Sequence, residues 1–181
     1  MLRFVSIFVV ALVALVGPAS ANADAARLNI VATFSILGDF AKNVGGERVN
    51  VTTLVGPNSD THVYTPTPSD AKKITDAKLV IVNGLGLEGW LPRLVKSSGS
   101  KAATVVATKG IATRKIEDGH SHDPSDADPH AWQSVVNAKT YVTNIRDALI
   151  AADPAGAEAY NANAASYLSK LDALDRDVRE A

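Results

Sequence analysis

Three of the four histidines in the sequence, His120, His122 and His130, lie within the short segment Glu117–Trp132, where acidic residues surround them. Imidazole binds first-row transition metals well and carboxylates add negative charge, so this composition is typical of a metal-handling segment. The fourth histidine, His62, lies far upstream in another polar stretch that contains prolines. All four histidines are therefore in loop-like contexts, where binding residues concentrate.

The sequence that surrounds these histidines alternates between apolar runs typical of buried strands and amphipathic segments typical of helices. The predicted strands cover residues 28–32, 48–55, 79–82 and 102–107, and the predicted helices cover 36–44, 68–77, 88–96 and 134–152. Ser35 is the predicted N-cap of the first helix, and Gly45 and Gly46 end it. Strands and helices at this spacing predict βαβ units and an α/β lobe of three layers around a mostly parallel sheet.

The predicted topology brings the two histidine-bearing loops together. In open parallel sheets, ligands bind outside the carboxyl ends of the strands. His62 follows the second predicted strand, and the segment 117–132 follows the fourth. Both loops should therefore open at the same rim of the sheet, where histidines distant in sequence could share one metal ion.

A long helix is predicted after the lobe. Asp153 is its predicted N-cap and Pro154 occupies the first helical position. A helix of about 28 residues would be roughly 40 Å long, more than one small domain needs. We expect its last turns to leave an apolar strip exposed, formed by Tyr167, Leu171, Leu174 and Val178.

The glycine-rich run from Asn83 to Glu88 follows the third predicted strand. It lacks the third glycine and the spacing of a dinucleotide-binding fingerprint. The glycines instead favour a tight turn between strand and helix, with Glu88 as a negative charge at the start of the next helix.

The first residues have the pattern of a secretory signal peptide: positively charged Arg3, an apolar run from Phe4, and a small-x-small motif ending at Ala23. The apolar run of about 13 residues is shorter than the roughly 20 that a membrane-spanning helix needs. We therefore predict that residues 1–23 are removed, that the mature chain begins at Asp24, and that it does not insert into the membrane.

Composition narrows the classes of function further. The sequence contains no cysteine, which excludes disulfides, thiolate ligands and lipid attachment through a cysteine. A protein exported without lipid is most simply periplasmic. The formal net charge is −1 with scattered basic residues, which argues against nucleic-acid binding and against a polybasic membrane patch.

Four motifs, at residues 30–40, 53–70, 83–91 and 128–132, resemble in order and spacing those of the periplasmic solute-binding proteins of zinc and manganese ABC importers. They read I-V-A-T-F-S-I-L-G-D-F, T-L-V-G-P-N-S-D-T-H-V-Y-T-P-T-P-S-D, N-G-L-G-L-E-G-W-L and D-P-H-A-W. The resemblance covers essentially the whole predicted mature chain.

The resemblance implies two α/β lobes joined by one long helix, with the transported zinc or manganese ion bound between them and delivered to a membrane permease. His62 and His130 match the family's first two metal ligands. The other two, a histidine or glutamate and an acidic residue, come from a second lobe that has no match in this sequence. The implied organisation is a signal peptide (1–23), an N-terminal metal-binding lobe (24–152) and the start of the inter-lobe helix (153–181), in a monomer.

Other polar and aromatic residues near the histidines have supporting or alternative roles. The loop residues His120 and His122 are accessory metal ligands or solvated polar side chains. Asp128 either accepts a hydrogen bond from an imidazole N–H or serves an Asp-Pro turn. Asp60 is predicted to shape the His62 loop, and the two tryptophans, Trp90 and Trp132, are predicted core residues.

Two other functions remain open at this point. A metallohydrolase could hold catalytic zinc with two histidines and a carboxylate, although no H-E-x-x-H motif or general base accompanies them. A surface adhesin of the same family is the third hypothesis. Imidazole-rich sites favour zinc and oxygen-rich sites suit manganese, so the two histidines alone do not choose the ion.

Overall fold

The computed structural model describes residues 27–114 and 127–181. The predicted signal peptide, its cleavage point and the histidines His120 and His122 lie outside the described residues.

Four parallel strands form one sheet in this part of the chain, in the order β2-β1-β3-β4. The strands are β1 (Leu28–Phe34), β2 (Val49–Val55), β3 (Leu79–Val82) and β4 (Ala103–Val106). Strand β3 and the second half of β1 are buried at every position, because both of their faces are covered. The predicted parallel sheet is confirmed.

Five helices accompany the sheet in the described residues: α1 (Ser35–Gly45), α2 (Pro68–Asp76), α3 (Leu91–Ser98), α4 (Val135–Ala152) and α5 (Ala157–Glu180). Helices α1 and α4 pack together against the strands, whereas α2 and α3 pack on each other and α2 contacts β1. The two groups lie on opposite faces, which gives the predicted three layers. Short 3-10 turns occupy Gly46–Arg48, Ala131–Gln133 and Pro154–Gly156.

The strand order places a topological switch between β1 and β3. From β1 the chain passes to β2 on one side, and from β2 it crosses over to β3 on the other side of β1. At such a switch the connections leave the sheet in opposite directions and open a crevice at the carboxyl ends. The loop after β2 carries His62, and the chain that returns after β4 carries His130. The fold therefore directs both histidines toward this crevice.

Three local predictions differ from the structure. Ser35 is the first residue of α1 rather than its N-cap, and Phe34 precedes it without a side-chain capping bond. Helix α3 begins at Leu91, three residues after the predicted start at Glu88, because left-handed backbone at Gly84, Leu85 and Gly86 (φ 84°, 55° and 79°) turns the chain first.

The third difference concerns Asp153, whose side chain caps no helix. Its Oδ2 accepts hydrogen bonds from Nε and Nη2 of Arg48 (3.1 and 2.9 Å) and from the buried Tyr160 hydroxyl (2.7 Å). Burial and this bond raise the pKa of Tyr160 to about 12. The cluster ties the start of α5 to the 3-10 turn between α1 and β2.

Helix α5 packs on α1 and α4 through its first turns. Tyr160, Ala164 and Leu171 are buried, whereas Leu174 and Val178 are 47% and 60% exposed. The expected exposed strip is thus shorter than predicted: Tyr167 packs against Phe40 (ring centroids 6.1 Å apart) and Leu171 is buried, so of its four residues only Leu174 and Val178 are exposed.

Candidate metal centre

His62 lies on an exposed loop whose backbone is held by hydrogen bonds at His62 itself and at the preceding residue, Thr61. Its backbone N–H donates to Oδ1 of Asp60 (2.8 Å), an Asx-type turn that forms the tip of the loop. The indole N–H of Trp90 donates to the carbonyl of Thr61 (2.8 Å), which joins the loop to the start of α3. Asp60 thus shapes the His62 loop as predicted, and Trp90 supports it from below.

His130 is oriented by Asp128, two residues earlier in the chain. Oδ1 of Asp128 accepts the backbone N–H of His130 (2.9 Å) and lies 2.8 Å from Nδ1 of its imidazole. The backbone bond and then the imidazole bond hold the pKa of the Asp128 carboxyl below its usual value. Asp128 therefore serves both roles left open by the sequence, since it closes the Asp-Pro-His turn and accepts from the ring.

The Asp128 contact also decides which ring nitrogen of His130 is available. A carboxylate that accepts from Nδ1 favours the tautomer with the proton on Nδ1, so the lone pair of neutral His130 resides on Nε2. This nitrogen points toward His62. A metal-binding histidine commonly has the same arrangement, with one nitrogen on a carboxylate and the other free for the ion.

The two histidines meet at the rim, 68 residues apart in sequence, with their Nε2 atoms separated by 3.1 Å and their ring centroids by 5.2 Å. Two nitrogens bound at about 2.0–2.1 Å to one tetrahedral zinc ion would be roughly 3.3–3.4 Å apart. The observed separation is within about 0.3 Å of that value. The predicted meeting of the two loops is confirmed, and the geometry can offer two imidazole nitrogens to one cation.

Aromatic side chains form the walls beside the histidines. The Trp132 ring lies against His130 (centroids 5.3 Å apart) and against Phe34 at the end of β1 (4.8 Å). Tyr64 packs edge-on against Trp90 at 5.1 Å. Both tryptophans are only partly buried and support the histidine loops, so their assignment as core residues was incomplete.

Asp70 anchors the other end of the His62 loop and is 1% exposed. Its Oδ2 accepts from the Tyr64 hydroxyl (2.8 Å) and from both the backbone N–H (2.8 Å) and the hydroxyl (2.7 Å) of Thr67, while Lys73 donates to Oδ1 (2.8 Å). Burial alone would raise the pKa of this carboxyl, but the bonds from Lys73, Thr67 and Tyr64 outweigh it and lower the pKa. A capping box at α2 is part of this network.

A polar cavity of about 500 Å³ opens beside His130, between residues 112–114 and the start of α4. The carbonyl of Arg114 accepts the backbone N–H of Asp128 (2.8 Å), so the segment that carries His120 and His122 leaves and rejoins the described chain next to His130. The structure describes neither of those two side chains.

Within residues 27–114 and 127–181, no group of three or more potential ligands of the His, Cys, Asp or Glu type could hold a metal ion. The centre in this part of the chain is a histidine pair with a carboxylate behind one ring. Of the helices that the structure describes, none has the length and apolar character needed to cross a bilayer.

Comparison with known proteins finds relatives that are named as metal-binding proteins. The chain is 43% identical to the manganese-binding lipoprotein MntA of Halalkalibacterium halodurans over 157 residues, which are 87% of this chain and 50% of that protein. It is 40% identical to the iron-binding protein YfeA of Yersinia pestis over 156 residues, which are 86% of this chain and 49% of that protein. The chain thus spans about half the length of these curated relatives.

Solved structures show the same likeness. The Mn-bound periplasmic metal binding protein of Candidatus Liberibacter asiaticus superposes with a TM-score of 0.73 at 38% identity, over 80% of this chain and 53% of that chain. Zn(II)-bound AdcA of Streptococcus pneumoniae gives a TM-score of 0.73 at 36% identity, over 83% of this chain and 32% of that chain. Residues 30–181 match the family described as "Zinc-uptake complex component A periplasmic" (ZnuA), and the chain belongs to that family.

Proposed function

We propose that this chain binds one divalent transition-metal ion, zinc or manganese, through Nε2 of His62 and Nε2 of His130. The observation that carries the proposal is the 3.1 Å separation of these atoms, together with the Asp128 carboxylate on Nδ1 of His130. Two imidazole nitrogens this close repel each other through their lone pairs unless a proton or a metal ion lies between them. A shared cation uses both lone pairs and keeps the Asp128 bond intact.

The role in transport is inferred from the relatives. Proteins similar to this chain are named as manganese- or iron-binding proteins, and others as substrate-binding lipoproteins of metal ABC transporters. We propose that the whole protein captures the ion outside the cytoplasm and delivers it to the permease of an ABC importer. Binding and release, rather than catalysis, is the function expected of such a component.

The proposed division of the chain follows from the same comparison. Residues 24–152 would form the metal-binding lobe and residues 153–181 the start of the helix that leads to the rest of the protein. Helix α5 supports this division, because its 24 residues extend roughly 36 Å and its last turns lie beyond the core. Further metal ligands in the relatives' remaining half would complete the coordination sphere that two imidazoles begin.

Export is proposed from the sequence pattern of the first residues. Cleavage after Ala23 would release a periplasmic chain that begins at Asp24. Several relatives are named lipoproteins, whereas this sequence contains no cysteine to carry a thioether-linked lipid. N-terminal sequencing of the exported protein tests the proposal, and a mature form that still begins with Met1 would contradict it.

Calorimetric titration with zinc and with manganese tests the ligand assignment. His62→Ala and His130→Ala should each abolish tight metal binding and leave only the weak affinity of the remaining imidazole, because a single imidazole cannot chelate. A variant with both His120→Ala and His122→Ala should change the affinity much less. The opposite ranking would transfer the site to the loop, and hydrolysis of ester or peptide substrates by the zinc-loaded protein would favour an enzyme instead.

A further inference from the structure

A buried hydrogen-bond network lies directly beneath the Pro129–His130 turn, with Asn83 at its centre. Asn83 follows the last residue of β3 and is 0% exposed. Its Nδ2 donates to the carbonyl of Pro129 (2.9 Å) and to that of Gly84 (3.0 Å), while its Oδ1 accepts from the hydroxyl of Tyr141 on α4 (2.6 Å). One side chain thus joins the sheet, helix α4 and the turn that carries His130.

The orientation of the Asn83 amide is determined by its neighbours. The two atoms on one side are carbonyl oxygens, which can only accept, so the NH₂ group must face them. The atom on the other side is a phenolic hydroxyl, which donates to Oδ1. Burial and the nearby Glu88 carboxylate raise the pKa of Tyr141, so this hydroxyl keeps its proton. Both N–H donors of the side chain and its carbonyl oxygen therefore have hydrogen-bond partners.

The backbone of Asn83 is fixed as firmly as its side chain. Its N–H donates to Oε1 of the buried Glu88 (2.7 Å), which also accepts from the hydroxyl of Thr33 in β1 (2.6 Å). The Asn83 carbonyl accepts from the hydroxyl of Thr108, just beyond β4 (2.6 Å). Three adjacent strands therefore hold Asn83 in place at their carboxyl ends, and the residue cannot shift without breaking several buried bonds.

On the basis of the proposed metal-binding function, we propose that Asn83 is a positioning residue for the metal centre: by binding the Pro129 carbonyl it sets the place of His130 Nε2 relative to His62 Nε2. The Pro129 carbonyl is in the peptide bond that leads into His130, so its position determines where the His130 Cα lies. Asp128 then fixes the rotation of the ring, and Trp132 supports one side of it. Without the Asn83 amide, the turn loses its hydrogen bond to the end of β3 and is held to the sheet by the packing of Trp132 against Phe34.

The test compares Asn83→Ala with the matched control Asn144→Ala. The first removes the amide that binds Pro129, whereas the second removes an amide on α4 that donates to the carbonyls of Ala107 and Lys109 (2.8 and 2.9 Å) and does not contact the Pro129–His130 turn. Both variants should unfold at lower urea concentration than the parent chain. Zinc affinity of the folded protein, measured by NMR titration at low temperature, should fall about 10-fold in Asn83→Ala and stay within twofold in Asn144→Ala. Equal affinity losses in both variants would contradict the proposal.

A double-mutant cycle separates positioning from a general loss of structure. If Asn83 acts by aligning two imidazoles, Asn83→Ala should have no further effect on zinc affinity when His62 or His130 is already alanine. A 10-fold loss that persists in both backgrounds would show that the residue acts otherwise. If His62→Ala and His130→Ala leave zinc binding unchanged, the metal site itself is misassigned, which is a result distinct from failure of the positioning role.

A second variant covers the case in which Asn83→Ala does not fold. Tyr141→Phe keeps the Asn83 amide and its bond to Pro129 but removes the hydroxyl that orients the amide. We expect a smaller loss of zinc affinity, about threefold, that also disappears in the His130→Ala background. No loss of zinc affinity in Tyr141→Phe would contradict the proposal.

Discussion

The contact between Asp128 and His130 allows a graded test of how the protein tunes its candidate metal ligand. Asp128→Asn keeps an oxygen that can accept from the His130 backbone N–H and from Nδ1, but the acceptor loses its charge. Asp128→Ala removes the acceptor altogether. Affinity for zinc should therefore decrease in the order Asp, Asn, Ala, because each step weakens the bond that keeps the proton on Nδ1.

The expected loss of zinc affinity in each variant follows from the strength and exposure of the Asp128 hydrogen bond. A hydrogen bond to a charged group contributes about 1.5–3 kcal/mol and a neutral one about 0.5–1.5 kcal/mol. Since the Asp128 side chain is 41% exposed, water screens its charge, and the difference between the charged and the neutral hydrogen bond should be near the low end of these ranges. A loss of about 1 kcal/mol corresponds to a roughly fivefold weaker zinc affinity for Asp128→Asn. Asp128→Ala should weaken it by about 10- to 100-fold, the range found when the carboxylate behind a ligating histidine is removed.

Competition titration of zinc against a chromophoric chelator measures these changes in the folded protein. Asp60→Asn is the matched control, because Asp60 also lies near the pair and its side chain accepts from the His62 backbone N–H rather than from an imidazole. If Asp128 acts through the imidazole, Asp60→Asn should change the affinity by less than twofold. Equal losses in Asp60→Asn and Asp128→Asn would refute this reasoning and leave only a general attraction between negative charge and the cation.

Two further predictions concern stability. Asp70→Asn should make the free energy of unfolding depend less on pH below about pH 4. The pKa of Asp70 is lower in the folded chain than its unfolded value of about 3.9, so the carboxylate stabilises the fold above that pH and this stability is lost as the pH falls. An unchanged pH dependence in urea titrations across this range would count against the prediction. Asp76→Asn, on the exposed side of the same helix, should leave the pH dependence intact. Leu171→Ala should destabilise the chain by about 2–4 kcal/mol and Leu174→Ala by less than about 1 kcal/mol, because only Leu171 is buried; equal shifts of the urea midpoint would show that the end of α5 is packed differently.

Periodicity and motif spacing predicted the parallel sheet, its covered faces and the meeting of His62 with His130. These predictions succeeded because strand direction and the carboxyl-end rule depend on patterns that are local or repeat along the chain. The role of Asp60 in shaping the His62 loop could also be predicted from the sequence, since an Asx turn involves residues only two apart.

The supporting residues were harder to predict because their partners lie far away in sequence. Glu88 resembled a helix-start charge, yet it is buried and accepts from Thr33, 55 residues earlier. Asn83 resembled an ordinary turn residue, and its bonds to Pro129 and Tyr141 span 46 and 58 positions. No local pattern encodes such pairs. The nearest available signal was the polar Asn83 directly after a fully apolar strand, where an unpaired amide would be costly.

The state of each imidazole nitrogen tests the proposed metal centre most directly. Two-bond ¹H–¹⁵N NMR spectra of the ¹⁵N-labelled chain, recorded before and after zinc addition, identify the protonated, free or metal-bound state of each ring nitrogen. We expect the Nε2 signals of His62 and His130 to move together to metal-bound positions, while Nδ1 of His130 keeps its proton on Asp128. Zinc-bound Nδ1 on His130, or metal-bound signals from His120 and His122 with the other two unchanged, would contradict the account.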